Sequence, residues 1–210
     1  MTRALRLGLS AGRVSTSLSA SRPVSSGTTY TFSQLMLVLL RSTRPLSSLV
    51  PGTLTSVAIV VKAGFSVRGI LAGLAMSSLT AFGFQINDLL DYQKDKAAGV
   101  QRPIASGVLS PGTAAAFAFA LLLFVFALSA LVGSGTRVLA ATALLLILYT
   151  PFARRIPLFK GFYVALLCIS PLYYGSQASG AQYPWTPYVL LFLFIVGREA
   201  LMDSNEVRGD

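Results

Sequence analysis

After residue 45 the chain is a succession of apolar runs, interrupted by short stretches that carry Lys, Arg, Gly or Pro. Each run is close to the ~20 residues a helix needs to cross the ~30 Å hydrocarbon core of a bilayer. No water is available there to satisfy backbone groups, so such runs fold as helices. Six spans are predicted, at about 46–64, 69–92, 112–133, 137–150, 160–178 and 187–204. The fourth is short for a full crossing. Pro171 should kink the fifth, which a membrane helix tolerates when a neighbour satisfies the freed carbonyl. With six spans, the second, fourth and sixth end on one common side.

Composition agrees with a single polytopic all-α domain. Of 210 residues, 54% are hydrophobic and 11% charged, where a soluble domain carries roughly 25% charge. The formal net charge is +10, but the 17 Lys and Arg are scattered singly or in pairs between apolar segments. That distribution excludes a nucleic-acid partner, which requires a basic stripe or patch. Cys168 is the one cysteine, so no internal disulfide forms, and the chain has no histidine. Any chemistry must use carboxylates, metal ions, Tyr, Lys or Arg.

Residues 1–40 form a separate basic, Ser- and Arg-rich N-terminal segment, with Arg3, Arg6, Arg13 and Arg22 and no acid. This is the composition of an organelle transit peptide, or else of a disordered basic tail on the membrane surface. The first reading implies a mitochondrial or plastid inner membrane, the second a bacterial plasma membrane. Residues 41–210 form the membrane domain. Its bases set the orientation. Arg41, Arg44, Lys94, Lys96, Arg102, Arg154, Arg155, Lys160 and Arg208 flank one end of the spans, against Lys62, Arg68 and Arg137 at the other. The first group faces the cytoplasm, or the matrix or stroma of an organelle.

All seven acids lie within two short segments on that side: Asp88, Asp91 and Asp95, then Glu199, Asp203, Glu206 and Asp210. An ionised group at membrane depth costs roughly 2.5–3.5 kcal/mol even on insertion scales, which points such residues toward the bundle interior. At about 100° per residue, Asn87, Asp91, Asp95 and Asp88 fall at about 0°, 40°, 80° and 100° on a helix, one shared face. The second group falls on a narrower stripe. Carboxylates so close either take up protons or recruit cations. Oxygen ligands without His or Cys select Mg2+ or Ca2+. A solvated helix end, with Lys94 and Lys96 as counter-ions, is the competing account of the first group taken alone, and the second group weighs against it.

The residues also carry a resemblance. NDLLDYQKD at 87–95, followed by RPIASG at 102–107, resembles the first signature of the UbiA superfamily of intramembrane prenyltransferases. REALMDSNEVRGD at 198–210 is similar to the second signature, and Arg44-Pro45 and YTPFARR add weaker likeness. Membership implies a UbiA-like bundle of which about six of the usual nine helices are present, so that the domain reads as truncated at its C-terminus. It implies Mg2+ held on a prenyl diphosphate by Asn87, Asp88, Asp91 and Asp95 on one side and by Asp203, Glu206 and Asp210 on the other. Asp91, Asp95 and Asp203 would then be catalytic, and Arg102, Lys94, Tyr149 and Arg154 would contact substrate. The family often places Lys four residues after the Tyr, whereas here Tyr149 is followed by Ala153 and then Arg154.

The implied reaction is Mg2+-dependent ionisation of a prenyl diphosphate and transfer of its prenyl group to an aromatic or other lipophilic acceptor, of the quinone, chlorophyll, haem or lipid type. The partners are those two substrates and membrane lipid. A related terpene cyclase or an inactive fragment of the fold would keep the same acids. A carboxylate-lined cation transporter would instead spread them through the membrane depth.

Overall fold

The computed structural model describes residues 31–152 and 157–208. Eight helices are seen among them: α1 Phe32–Ser42, α2 Pro45–Ala63, α3 Val67–Leu90, α4 Tyr92–Ala97, α5 Pro111–Val132, α6 Thr136–Tyr149, α7 Pro157–Ser179 and α8 Thr186–Arg208. Six of these, α2, α3, α5, α6, α7 and α8, stand within a few residues of the expected spans. Among the described residues α2, α3 and α5 are long and apolar enough to cross a membrane. With 14 residues, α6 rises only ~21 Å at 1.5 Å per residue.

Local chemistry sets the ends. Ser66 and Ser110 cap α3 and α5 by accepting from the Gly69 and Thr113 N–H groups, and Gly133 closes α5 at φ 75°, a left-handed conformation that favours glycine. Two helices were not among the expected spans. α1 is too short to cross; its Thr31 and Gln34 form a capping box, and Leu35, Val38 and Leu39 pack against Ile104, Leu109 and Ala114. α4 exists because α3 bends at Asp91. The hydrogen bonding runs on through the bend, with the Asp91 N–H donating to the Asn87 carbonyl at 2.9 Å and the Asp95 N–H to the Asp91 carbonyl at 2.8 Å.

α3 is the axis of the bundle and packs against α2, α5, α6 and α7. Of its apolar window 61% is buried, against 28% for α2 and for α5. Ile59, Met76, Leu79, Phe82, Val125, Leu128 and Leu139 form the core around it. Lipid supplies no hydrophobic drive for helices to meet, so close packing through small residues and interhelical hydrogen bonds must hold them together. A Cβ on Gly52 would lie 1.9 Å from Ser77 Oγ, and one on Gly73 would lie 2.1 Å from Ser56 Oγ. Ser56 Oγ in turn donates to the Gly69 carbonyl at 2.9 Å.

α7 joins α2 in the same way, with Gly175 against Ala58 and Thr55 Oγ1 donating to the Pro171 carbonyl at 2.9 Å. Pro171 takes an N–H away from the Leu167 carbonyl. Ser170 Oγ replaces it at 2.8 Å, which is the compensation the sequence required. In the α7–α8 loop, Tyr183 donates to the Ala58 carbonyl, and burial pushes its phenol above the ordinary tyrosine value. Successive long helices run antiparallel. The start of α2, the end of α3, the start of α5, the end of α6, the start of α7 and the end of α8 therefore share one end of the bundle.

Candidate functional site at the charged end

Arg44, between α1 and α2, is the one non-glycine with positive φ among the described residues, at φ 50° and ψ 64°. Pro45 follows it and disfavours the right-handed helical region for the residue before it. A left-handed non-glycine costs of order 1 kcal/mol or more and persists where its surroundings fix it. Here the fixing is evident: its guanidinium lies 4.7 Å from the centre of the Phe84 ring, and its NH2 is 3.2 Å from Asp88 Oδ1.

Arg102 reaches the same carboxylates from the α4–α5 loop. Gly99 and Gly107 take positive φ there, while Ile104 and Leu109 are buried under α1. The loop is thereby anchored at both ends of the RPIASG segment. Arg102 NH1 lies 2.6 Å from Asp95, 3.2 Å from Asp88 and 4.0 Å from Asp91. Asp88, Asp91 and Asp95 are 4%, 8% and 8% exposed, and charges that far from water need such partners.

Beside these side chains is a cavity of about 420 Å³. α3 contributes Phe84, Asn87, Asp88 and Asp91, the end of α6 contributes Tyr149 and Thr150, and Arg44, Arg102 and Lys160 complete the lining. Thr150 Oγ1 donates to Asn87 Oδ1 at 2.9 Å, which orients that amide. On α8, Glu199 and Asp203 lie one turn apart and face Lys160. Lys160 Nζ is 2.7 Å from Asp203 Oδ1 and 3.7 Å from Glu199 Oε2. Glu199 also accepts from Arg198 NH1 at 2.6 Å. Lys160 thus belongs to both acidic groups: it lines the cavity of the first and neutralises the second.

One turn deeper is a second cavity, of about 300 Å³ and almost wholly apolar, between α2, α3, α6, α7 and α8. Leu54, Met76, Leu79, Leu146, Leu167 and Ile195 line it, together with Cys168. The step from one cavity to the other follows single helices: Phe84 lines the first and Thr80 the second on α3, and Tyr149 the first and Leu146 the second on α6.

The candidates from sequence fall into three groups. Asn87, Asp88, Asp91, Arg102 and Tyr149 line one cavity. Asp95 and Asp203 are not on the lining, but each pairs with a cation that is: Asp95 with Arg102 and Asp203 with Lys160. Lys94 is exposed on α4 and does not line the cavity: with Asp95 turned inward, a residue about 100° back on the helix turns outward. Arg154, Asp210 and the side chain of Glu206 lie outside the described residues. Arg44, Thr150 and Lys160 were not among the candidates. Their signal was indirect: every base at this end has only seven carboxylates in the chain with which to pair.

The model of the UbiA prenyltransferase family matches residues 49–210. The digeranylgeranylglyceryl phosphate synthase of Methanoregula boonei is 35% identical over 173 residues, covering 80% of this chain and 62% of that relative. The synthase of the same name from Metallosphaera sedula is 32% identical over 146 residues, covering 67% and 51%. This chain therefore spans from about half to three fifths of the length of these two relatives. Among solved structures, a digeranylgeranylglyceryl phosphate synthase has a TM-score of 0.71 at 23% identity, covering 83% of this chain and 64% of that one. A UbiA homologue from Archaeoglobus fulgidus bound to DMAPP and Mg2+ has a TM-score of 0.65 at 21% identity, covering 75% and 60%. The helical bundle, and the signatures that sequence likeness places at its charged end, make this chain a multi-pass membrane protein of the UbiA prenyltransferase family.

Proposed function

We propose that the charged end binds a prenyl diphosphate with Mg2+, that the chain promotes departure of the diphosphate, and that the prenyl group passes to a lipophilic acceptor. The observation that carries this reading is the stacking of two cavities: one lined by Asn87, Asp88, Asp91, Arg44, Arg102 and Lys160, the other, one turn deeper, lined by Leu, Met and Ile. A prenyl diphosphate has the same two halves. The A. fulgidus homologue, bound to DMAPP and Mg2+, and its GPP-bound counterpart are consistent with it.

The donor set suits Mg2+. Among the described residues no three acids are grouped to hold a metal ion by themselves, and Arg102 stands among Asp88, Asp91 and Asp95. Toward the cavity, Asn87, Asp88 and Asp91 offer oxygen only, and Asp203 offers oxygen next to Lys160, which lines it. Mg2+ is commonly held by one or two carboxylates with waters and substrate phosphate oxygens. When bound, it would offset the negative charge that gathers on the departing diphosphate.

The chain's own residues do the rest. Arg44 and Arg102, fixed by their carboxylates, present N–H donors to diphosphate oxygens. Thr150 holds the Asn87 amide. Phe84 and Tyr149 line the same cavity, where their rings would meet the allylic carbon as it gains positive charge. The apolar cavity takes the chain and keeps water away from that carbon.

The relatives' activity, digeranylgeranylglyceryl phosphate synthesis, favours a phosphorylated glycerolipid acceptor over an aromatic ring. The test is to incubate membranes carrying the chain with Mg2+, labelled geranylgeranyl diphosphate and each acceptor class, beside Asp91→Ala. The reading expects label in a lipid product and loss of diphosphate release in the variant. Release that survives Asp91→Ala, or that never occurs with wild type, overturns it. A label found only on an aromatic acceptor overturns the acceptor class alone.

A further inference from the structure

Lys160 serves two structures at once, and its chemistry differs from that of the other cations at the site. Arg44 and Arg102 are planar forks, one held over Phe84 and the other set among three carboxylates. Lys160 is a point charge on a four-carbon stem with three rotatable donors. It sits in the first turn of α7, where Gly161 lets α8 come close: a Cβ on Gly161 would meet the Glu199 Cβ at 3.4 Å. From there its ammonium lies 2.7 Å from Asp203 Oδ1 and also lines the cavity with Asn87, Asp88 and Asp91.

Charge counting shows what this does. The described acids at this end are Asp88, Asp91, Asp95, Glu199 and Asp203, five negative charges. Among the described ion pairs, Arg44, Arg102, Lys160 and Arg198 stand on these carboxylates. Before any ligand arrives, Asp203 therefore already carries a cation. A divalent cation bound to Asp203 would meet the ammonium already on that carboxylate, and the two repel. If the ammonium swings off Asp203, it remains in the cavity it already lines, where the diphosphate oxygens arrive.

We propose that Lys160 is an exchangeable counter-ion: it holds Asp203 and Glu199 while the site is empty, yields Asp203 to the metal, and transfers its ammonium to the diphosphate. This rests on the proposed prenyl diphosphate site and goes further, because it makes metal and diphosphate binding cooperative through one named residue. Each ligand pays to move Lys160 when it binds alone and is helped when they bind together, and such coupling is reciprocal. Lys160 is a positioning residue in the empty site and a diphosphate contact in the filled one.

The test measures Mn2+ binding by electron paramagnetic resonance on the full chain in lipid nanodiscs, with and without geranyl S-thiolodiphosphate, which does not react. Lys160→Met removes the competitor, so Mn2+ alone binds at least about fivefold tighter than in wild type, and the further gain on adding the analogue shrinks by a similar factor. Lys160→Arg acts in the opposite sense. Its bidentate fork grips Asp203 more firmly, so Mn2+ alone binds more weakly. It also keeps the charge balance of the folded protein, so it reads out even where Lys160→Met fails to assemble. Mn2+ affinities equal to wild type in both variants, or shifted in the same direction in both, overturn the counter-ion role. Wild type that binds neither Mn2+ nor the analogue overturns the prenyl diphosphate site itself, a result distinct from the first.

Discussion

The acidic group on α3 and the one on α8 are built differently, and the contrast separates a fixed half of the site from an exchangeable one. Around the α3–α4 bend the carboxylates are buried and two arginines stand among them, and the Asp88, Asp91 and Asp95 side chains are 5%, 10% and 11% exposed. The backbone around them is committed: α3 bends at Asp91, Arg44 takes a left-handed conformation, and the Arg102 loop is pinned under α1. On α8 the helix carries Glu199 and Asp203 one turn apart, the Asp203 side chain is 25% exposed, and a lysine is its counter-ion. Guanidinium forks hold geometry, whereas a hydrated ammonium on a flexible stem is easily moved. A site that must receive metal and diphosphate and then release diphosphate has use for both kinds of wall.

The strongest way to break this comparison is to neutralise one acid from each wall. Asp91→Asn should lower prenyl transfer by about 100-fold or more, the scale of losing a principal electrostatic contact in a transition state. Asp203→Asn should lower it too, but with a larger share of the loss in the Mg2+ concentration required. A steady-state titration of Mg2+ for each variant decides it, and equal Mg2+ dependence in both would remove the distinction between the walls.

Stability is the next and smaller test. Arg102→Met removes the cation that stands among three buried carboxylates. It should cost about 2–3 kcal/mol, seen as a fall in the thermal midpoint that added Mg2+ partly restores. Lys160→Met should cost about 1 kcal/mol, because Asp203 keeps some access to water. The reverse order would show that the α8 wall is the rigid one.

Smallest of all is Thr150→Val, which removes the hydrogen bond to Asn87 Oδ1 without changing charge. It should cost about 1 kcal/mol and raise the KM for prenyl diphosphate more than it lowers kcat. A change in kcat alone would place Asn87 outside the ground-state binding of the substrate.

Much of this was open to a reading of residues alone. The six long helices were legible because bilayer thickness imposes a length on each apolar run, and the ladder at Asn87, Asp88 and Asp91 because helical spacing assigns residues to faces. α1 was not, since an eleven-residue amphipathic helix gains its place only by packing Leu35, Val38 and Leu39 on a loop sixty-odd residues away in sequence. Lys94 and Lys160 show the same limit among bases. Both stand next to an acidic group in sequence or in topology, but Lys94 turns out to solvent while Lys160 closes the cavity.

Sequence by itself determined that the chain crosses a bilayer several times, that its described acids gather at one end, and that Asn87, Asp88 and Asp91 share a face, as do Glu199 and Asp203. These follow from hydrophobic length, charge cost and helical period, all of which are local. Only the tertiary structure decided which cation meets which carboxylate: Arg44 on Asp88, Arg102 among three, and Lys160 on Asp203. Pairing depends on where separate helices meet, and that is set by contacts such as Gly52 with Gly73 and Gly161 with Glu199.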